Sequence, residues 1–188
     1  MRIIRAAEHR VVPWKNGGGL TREVLVEPDP ADPAQFLWRV SIATVAEAGP
    51  FSRFPGIDRS IAVLDGAGMR LDVDGEMVTL LKGDPPFRFT GEAEVRSELL
   101  DGATTDLNAM TRRGRFRHRM ERVRCEELTV PTGGAETNIL LFTGPVTVAG
   151  MPLDRFDALV GLGRGEKIRI RAEKPSDMLV IAIERMGE

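Results

Sequence analysis

The sequence predicts an all-β protein, built of antiparallel strands in two small lobes packed as one compact unit. Three observations predict it. Few windows of a dozen residues escape both glycine and proline, which number 20 and 12 among 188 residues, so long helices have little room. Short segments alternate apolar and polar side chains with the strand period of two. A strand, turn, strand, turn, strand pattern recurs loosely in the second half.

Taken in order, Asp32 to Trp38 follows a proline-rich loop and reads as a short helix. Trp38, Val40, Ile42 and Thr44 then alternate with Arg39, Ser41 and Ala43, as Met69, Leu71 and Val73 do with Arg70, Asp72 and Asp74. Each is a strand with one face to bury. Asp74-Gly75 suits a two-residue turn with positive φ at both positions, so a tight hairpin is expected there. Further strands are expected over 87–90, 115–124, 138–142, 146–149, 167–171 and 178–183. Ile61 to Gly68, followed by a hairpin and Lys82-Gly83-Asp84-Pro85, is echoed by Ala158 to Gly163 and Lys174-Pro175-Ser176-Asp177. Residues 104–114 form the crossing between halves without a Gly/Ser linker, which divides the chain into 1–110 and 111–188.

Composition excludes several classes of function. Lys and Arg number 26 against 28 Asp and Glu, and the net charge of -2 creates no field to gather nucleic acid or an anionic membrane. The longest apolar runs, such as Met178 to Ile183, fall short of the ~20 residues that span a bilayer. The start, Met1-Arg2-Ile3-Ile4-Arg5, leads into Ala6-Ala7-Glu8-His9-Arg10 without an apolar secretory core, so a cytoplasmic location is expected. One cysteine and two histidines supply neither an internal disulfide nor a Cys/His zinc cluster. Cys125 reads as a buried inert thiol, His118 as a core histidine and His9 as a surface residue. The arginine run from Arg112 to Arg124 alternates with Gly114, Phe116, His118 and Met120. It reads as a solvated edge strand protected against aggregation rather than a nucleic-acid face.

Four ordered motifs carry a resemblance: Pro13-Trp14-Lys15-Asn16-Gly17-Gly18-Gly19-Leu20-Thr21-Arg22-Glu23, Trp38-Arg39-Val40-Ser41-Ile42-Ala43, Gly49 to Arg59, and Asp106-Leu107-Asn108-Ala109-Met110. With these the chain resembles the HutD/Ves family, densely from residue 13 to about 110. The resemblance implies a bicupin fold, two small antiparallel barrel or jelly-roll lobes, in small cytoplasmic proteins often linked in bacteria to histidine utilisation. Cupin enzymes generally hold a metal through a Gly, His-x-His, Glu, Gly pattern. Anchoring its last glycine on Gly66 puts the Glu position at Arg59 and the histidines at Arg53 and Pro55, or at Ser52 and Phe54. None of these is a metal ligand, and a guanidinium repels a divalent cation. The expectation is a pocket without metal or other cofactor, suited to a carboxylate.

The motifs supply the candidate ligand-binding set: Trp14, Lys15, Asn16, Thr21, Arg22, Glu23, Arg39, Ser41, Asp58, Arg59 and Asn108. An Arg fork pairs with a carboxylate through two parallel hydrogen bonds, and two cations suit a dicarboxylate. Gly17-Gly18-Gly19 lacks the ending and context of a nucleotide loop and equally suits a tight bend. Phe51, Phe54 and Pro55 read as packing residues. Asp58 and Arg59 adjoin, so they face opposite sides of a strand.

The expected partner is a small acidic metabolite, such as a formylated or amidated glutamate-like intermediate of histidine breakdown, and an open sheet edge allows a homodimer. A sensor or accessory protein fits better than an enzyme. The enzymatic alternative is a metal-independent isomerase or hydrolase using Glu23, Asp58 or Lys15 as acid or base. A third alternative is a scaffold docking a protein through the arginine strand. The second lobe carries Arg155, Asp157 and Arg164 but no set as compact as that of residues 14 to 59, which places the site in the first lobe.

Overall fold

The computed structural model describes residues 1–14, 17–131, 135–162 and 167–187. The chain folds into two compact units, Arg10–Arg117 and Met1–His9 together with His118–Glu188. These boundaries differ from 1–110 and 111–188 because the N-terminus leaves the lobe that follows it in sequence. The strand β1 (Arg2–Ile4) pairs antiparallel with β16 (Ala158–Val160). Buried Asp157 accepts from Arg5 Nη1 at 2.7 Å and from the amides of Ala6 and Asp154 at 2.8 and 2.9 Å. These hydrogen bonds outweigh its burial and hold its carboxyl below the usual range. His9, expected at the surface, is buried.

The unit Arg10–Arg117 contains β2 (Arg10–Pro13), β3 (Gly19–Asp29), β4 (Asp32–Val45), β5 (Gly49–Pro50), β6 (Ile57–Asp65), β7 (Met69–Val73), β8 (Glu76–Leu80), β9 (Phe87–Thr90), β10 (Val95–Leu99) and β11 (Thr104–Arg112). They form a six-stranded sheet in the order β2-β3-β4-β11-β6-β9 and a four-stranded sheet in the order β5-β10-β7-β8. Val45, Ile61 and Val63 of the first sheet and Met69, Leu71, Leu80 and Val95 of the second make one apolar cluster. Removing such aliphatic surface from water contributes about 1.5–3 kcal/mol per large side chain.

The expected hairpin at Asp74-Gly75 is present, with φ of 51° and 89° between β7 and β8. The helix expected over Asp32 to Trp38 is not: these residues open β4, and Asp32 and Phe36 pair with Asp29 and Pro28 of β3. The pairing partner on β3 decides the conformation of a segment whose own pattern is weak. In β4 the polar alternate face is not solvated. Trp38, Val40 and Ile42 are buried on one side, while Arg39, Ser41 and Ala43 line a cavity on the other.

The other unit carries β12 (Phe116–Pro131), β13 (Thr137–Phe142), β14 (Val146–Val148), β15 (Met151–Leu153), β16 and β17 (Lys167–Arg185). Its sheet runs β1-β16-β13-β17-β14-β15, with β12 also paired to β17. Cys125, Leu140, Phe142, Leu153, Ile170 and Met178 belong to its core, and burial pushes the Cys125 thiol up, as suits an inert cysteine. The arginine run keeps the expected alternation from residue 116 onward. Phe116, His118 and Met120 are buried while Arg117 and Arg119 are exposed. Arg113 to Arg115 form a turn instead of strand, with Gly114 at φ 79°. Among the described residues no helix is long and apolar enough to cross a membrane.

Candidate functional site

A cavity of about 420 Å³ lies in the unit Arg10–Arg117, lined by β4, β6 and β11, the segment after β5, and Trp14 and Thr21. Its floor follows from strand register. Asp106, Asn108 and Met110 alternate onto one face of β11, opposite Ala43, Ser41 and Arg39 of β4. On the other flank Met110 lies opposite Arg59 of β6. Two guanidiniums therefore converge from strands on either side of β11.

Arg59 is buried and Arg39 half-buried, the Nε of each is shielded from bulk water, and both stack on aromatic rings. The Arg59 guanidinium carbon lies 4.7, 5.4 and 5.6 Å from the ring centroids of Phe89, Phe54 and Phe51. That of Arg39 lies 4.9 and 5.3 Å from Phe36 and Phe54. Arg59 donates to Asn108 Oδ1 at 2.9 Å and to the Ser52 carbonyl at 3.3 Å. Arg39 donates to the Met110 sulfur at 3.3 Å, and Nε of both arginines has no partner. Burial lowers both, Arg59 to about 10, with Arg39 adding to the fall and Asp106 opposing it. Both stay charged at neutral pH.

Asn108 turns its amide nitrogen to Asp106 Oδ1 at 2.6 Å, so its oxygen is left for Arg59. Asp106 is fully buried and its Oδ2 has no partner. Burial raises its carboxyl to about 7, against the opposing pull of Arg59 and the Asn108 bond. The site thus holds two cations and a carboxyl that is half protonated near neutrality. Such a set suits an anion carrying more than one acceptor oxygen.

Glycine positions the rim. A Cβ at Gly19 would strike the Thr44 carbonyl oxygen and lie 3.0 Å from the Trp14 ring, so only glycine lets Trp14 settle here with its Nε1 donating to Thr21 Oγ1 at 2.8 Å. A Cβ at Gly91 would strike the Phe54 carbonyl, where the Phe54 amide bonds Gly91 at 2.7 Å. Beyond that loop Arg113 donates to Asp58 at 2.8 Å and to Glu92 at 3.0 and 3.2 Å. Glu92 also accepts from the Gly56 amide. The Arg113 bond, then the Gly56 bond, pull the Glu92 carboxyl down to about 2.

Of the residues singled out from sequence, Trp14, Thr21, Arg39, Ser41, Arg59 and Asn108 line the cavity. Lys15 and Asn16 lie outside the described residues. Arg22, Glu23 and Asp58 are not among the lining residues. Arg22 sits opposite Ile42, whose side chain belongs to the other face. Glu23 accepts from Arg10 at 3.3 Å, and Asp58 is held by Arg113. Glu23 and Asp58 stand on strands three places apart in the sheet, about 14 Å at the usual strand spacing, too far for an acid/base pair. Phe51 and Phe54, read as packing, line the cavity, and Asp106 was passed over although its spacing from Asn108 puts both on one strand face. The cupin metal pattern does not fit. Arg53 pairs with Glu94 at the surface, and the Glu position carries the Arg59 cation, which has no lone pair to offer a metal.

The HutD family model matches residues 6–180. A protein of Pseudomonas putida, described as an uncharacterized 21.2 kDa protein in the hutC 3′ region, is 41% identical over 121 residues, 64% of this chain and 63% of its own length. The match thus spans less than two thirds of that relative. Protein Ves of Cronobacter sakazakii is 42% identical over 128 residues, covering 68% of this chain and 67% of Ves. The solved structure of HutD from Pseudomonas fluorescens SBW25 is 32% identical with a TM-score of 0.85 over 99% of both chains. A conserved protein of unknown function from Pseudomonas aeruginosa PAO1 is 37% identical with a TM-score of 0.83, over 97% of this chain and 98% of its own. A cupin 2 conserved barrel domain protein from Leptotrichia buccalis, 11% identical with a TM-score of 0.58, shares the cupin β-barrel fold alone. The chain belongs to the HutD/Ves family.

Proposed function

We propose that this chain is a small-molecule-binding protein whose cavity holds a small acid by its carboxylate, without a metal. The observation that carries the reading is the pair of guanidiniums of Arg39, half-buried, and Arg59, buried, whose buried Nε donors have no partner on the floor of one cavity. Buried charges are ordinarily paired. Here the one buried carboxyl beside them is largely neutralised by its own burial below pH 7. A carboxylate supplies the missing charge and acceptors, and each charge-assisted bond is worth ~1.5–3 kcal/mol. The volume falls within the ~300–1,000 Å³ of small-molecule pockets, and the rings of Phe51, Phe54 and Trp14 offer apolar contact to a short carbon chain.

A relative is named for the hutC 3′ region. Together with family membership, this favours a cytoplasmic regulatory or accessory role in histidine utilisation, with a formylglutamate-like carboxylate as ligand. Binding is better supported than turnover, since Glu23 and Asp58 are each engaged by an arginine and face apart. The test is a thermal-shift screen of metal-stripped protein against formate, acetate, succinate and formylglutamate, repeated with Arg59→Ala. Saturation at a hundredfold excess over Kd stabilises by ~2.7 kcal/mol. A shift present in the wild type and absent in Arg59→Ala is expected. No shift with any acid in a folded protein would overturn the reading, and consumption of the acid would convert it to an enzyme.

A further inference from the structure

Asp106, Asn108 and Arg59 form a hydrogen-bonded chain across two neighbouring strands. Arg59 donates to Asn108 Oδ1 at 2.9 Å, and Asn108 Nδ2 donates to Asp106 Oδ1 at 2.6 Å. The far end is open, because Asp106 lines the cavity and its Oδ2 is buried without a donor. The direction of the chain is fixed by chemistry: a guanidinium only donates, so Asn108 must present its oxygen to Arg59 and its nitrogen to Asp106. An ionised Asp106 is then the internal counter-charge of Arg59, acting through the amide.

We propose that anion binding at Arg59 is proton-coupled, with Asp106 Oδ2 taking up the proton and Asn108 positioned as the link between them. This rests on the reading of the cavity as an anion site. A carboxylate arriving at Arg59 replaces Asp106 as its counter-charge, and the two negative groups then compete for the same guanidinium pair in a poorly solvated space. Transfer of one proton from solvent to Oδ2 removes the competition. No bond of the ligand changes; the sum is protein plus anion plus proton giving the complex. Oδ2 is free to take the proton because no donor already points at it.

The charged groups around Asp106 set the direction. Arg39 faces the cavity from β4 and Arg59 from β6. Glu23, on β3, influences Arg39 but is paired with Arg10. The opposite sheet presents Met69, Leu71, Leu80 and Val95 to the interior. Burial already brings the Asp106 carboxyl to about 7 against the pull of Arg59 and the Asn108 bond, so a second anion that competes for Arg59 moves it further up. At lower pH the proton is in place before the ligand arrives, and above neutrality the ligand must bring it in.

The experiment is isothermal titration with formate, acetate and methanesulfonate at about pH 6 and about pH 8, each in two buffers of different ionisation enthalpy. Over that range the probes keep their charge. Linkage makes affinity fall about tenfold per pH unit wherever one whole proton is taken up. Wild type is expected to bind at about pH 6 with little proton uptake. At about pH 8 uptake should approach one proton and affinity should be weaker. Asp106→Asn, neutral at every pH, should bind without uptake and with an affinity that no longer depends on pH. Infrared difference spectra of the wild type need no variant: binding at about pH 8 should create a carboxylic acid C=O band. Binding at about pH 6 with neither uptake nor an acid band at about pH 8 would overturn the coupling and leave the anion site standing. Failure of all three probes to bind at about pH 6 would overturn both.

Discussion

Arg39 and Arg59 place their guanidinium carbons 5.3 and 5.4 Å from the centroid of one ring, that of Phe54. Two like charges are thereby brought together on a cavity floor, although each lowers the comfort of the other. Ring quadrupoles and a few polar contacts stand where carboxylates ordinarily would. The arrangement suits an anion at the cost of some stability, and the consequences below follow from that.

Replacing Phe54 with Leu removes the shared face while keeping an apolar side chain. A loss of about 1–2 kcal/mol in urea unfolding is expected from two partly desolvated cation–π contacts. The loss should be smaller in an Arg59→Ala background, where one of the contacts is already gone. Equal losses in the two backgrounds would show that the ring packs without sensing that charge.

Asp106 makes stability depend on pH in a sense opposite to that of a salt-bridged aspartate. Its folded pKa of about 7 exceeds the ordinary 3.8, so the native state binds the proton more tightly than the unfolded chain does. The contribution is complete below about pH 4 and is lost as pH climbs through about 7, by at most about 4 kcal/mol. Urea midpoints of wild type should fall across that window relative to those of Asp106→Asn. Parallel curves would show that the carboxyl is not perturbed.

Glu92 acts in the other direction. Its carboxyl is held at about 2 by Arg113 and the Gly56 amide, so its contribution is present above about pH 4 and is lost as pH falls toward 2. It is exposed, so the effect on global stability is small. The local effect is measurable: Arg113→Ala should speed hydrogen exchange at the Gly56 and Ile57 amides. Unchanged exchange would mean that the Phe54 loop is held without this clasp.

Gly19→Ala places a methyl group against the Thr44 carbonyl and the Trp14 ring. A loss of about 1–3 kcal/mol from overpacking is expected, with a change in indole fluorescence as the Trp14 to Thr21 bond breaks. A variant as stable as wild type with the same emission would show that the strand yields at no cost.

Much of this was legible in residue order. Alternation located β4 and β7, Asp74-Gly75 located the hairpin that joins β7 to β8, and the motif arginines at 39 and 59 reached one cavity. What escaped depended on pairing. Asp32 to Trp38 carries no strong strand pattern, and β3 extends it. His9 is polar and near the terminus, and its burial depends on tertiary packing that its own pattern does not show. Asp106 was overshadowed by the amide two positions on, though their period already put both on one face. Asp58 looked like a site residue because its neighbour is one; the strand alternation turned it outward to Arg113.

The most direct test of the central claim reads the two guanidiniums themselves. Arginine Nε–H correlations, assigned with Arg39→Lys and Arg59→Lys, are followed by nuclear magnetic resonance while acetate or succinate is added. Saturable shifts at Arg39 and Arg59, whose Nε donors have no partner, are the expected result. Resonances that stay in place at these two arginines while the acid reaches high concentration would contradict the account.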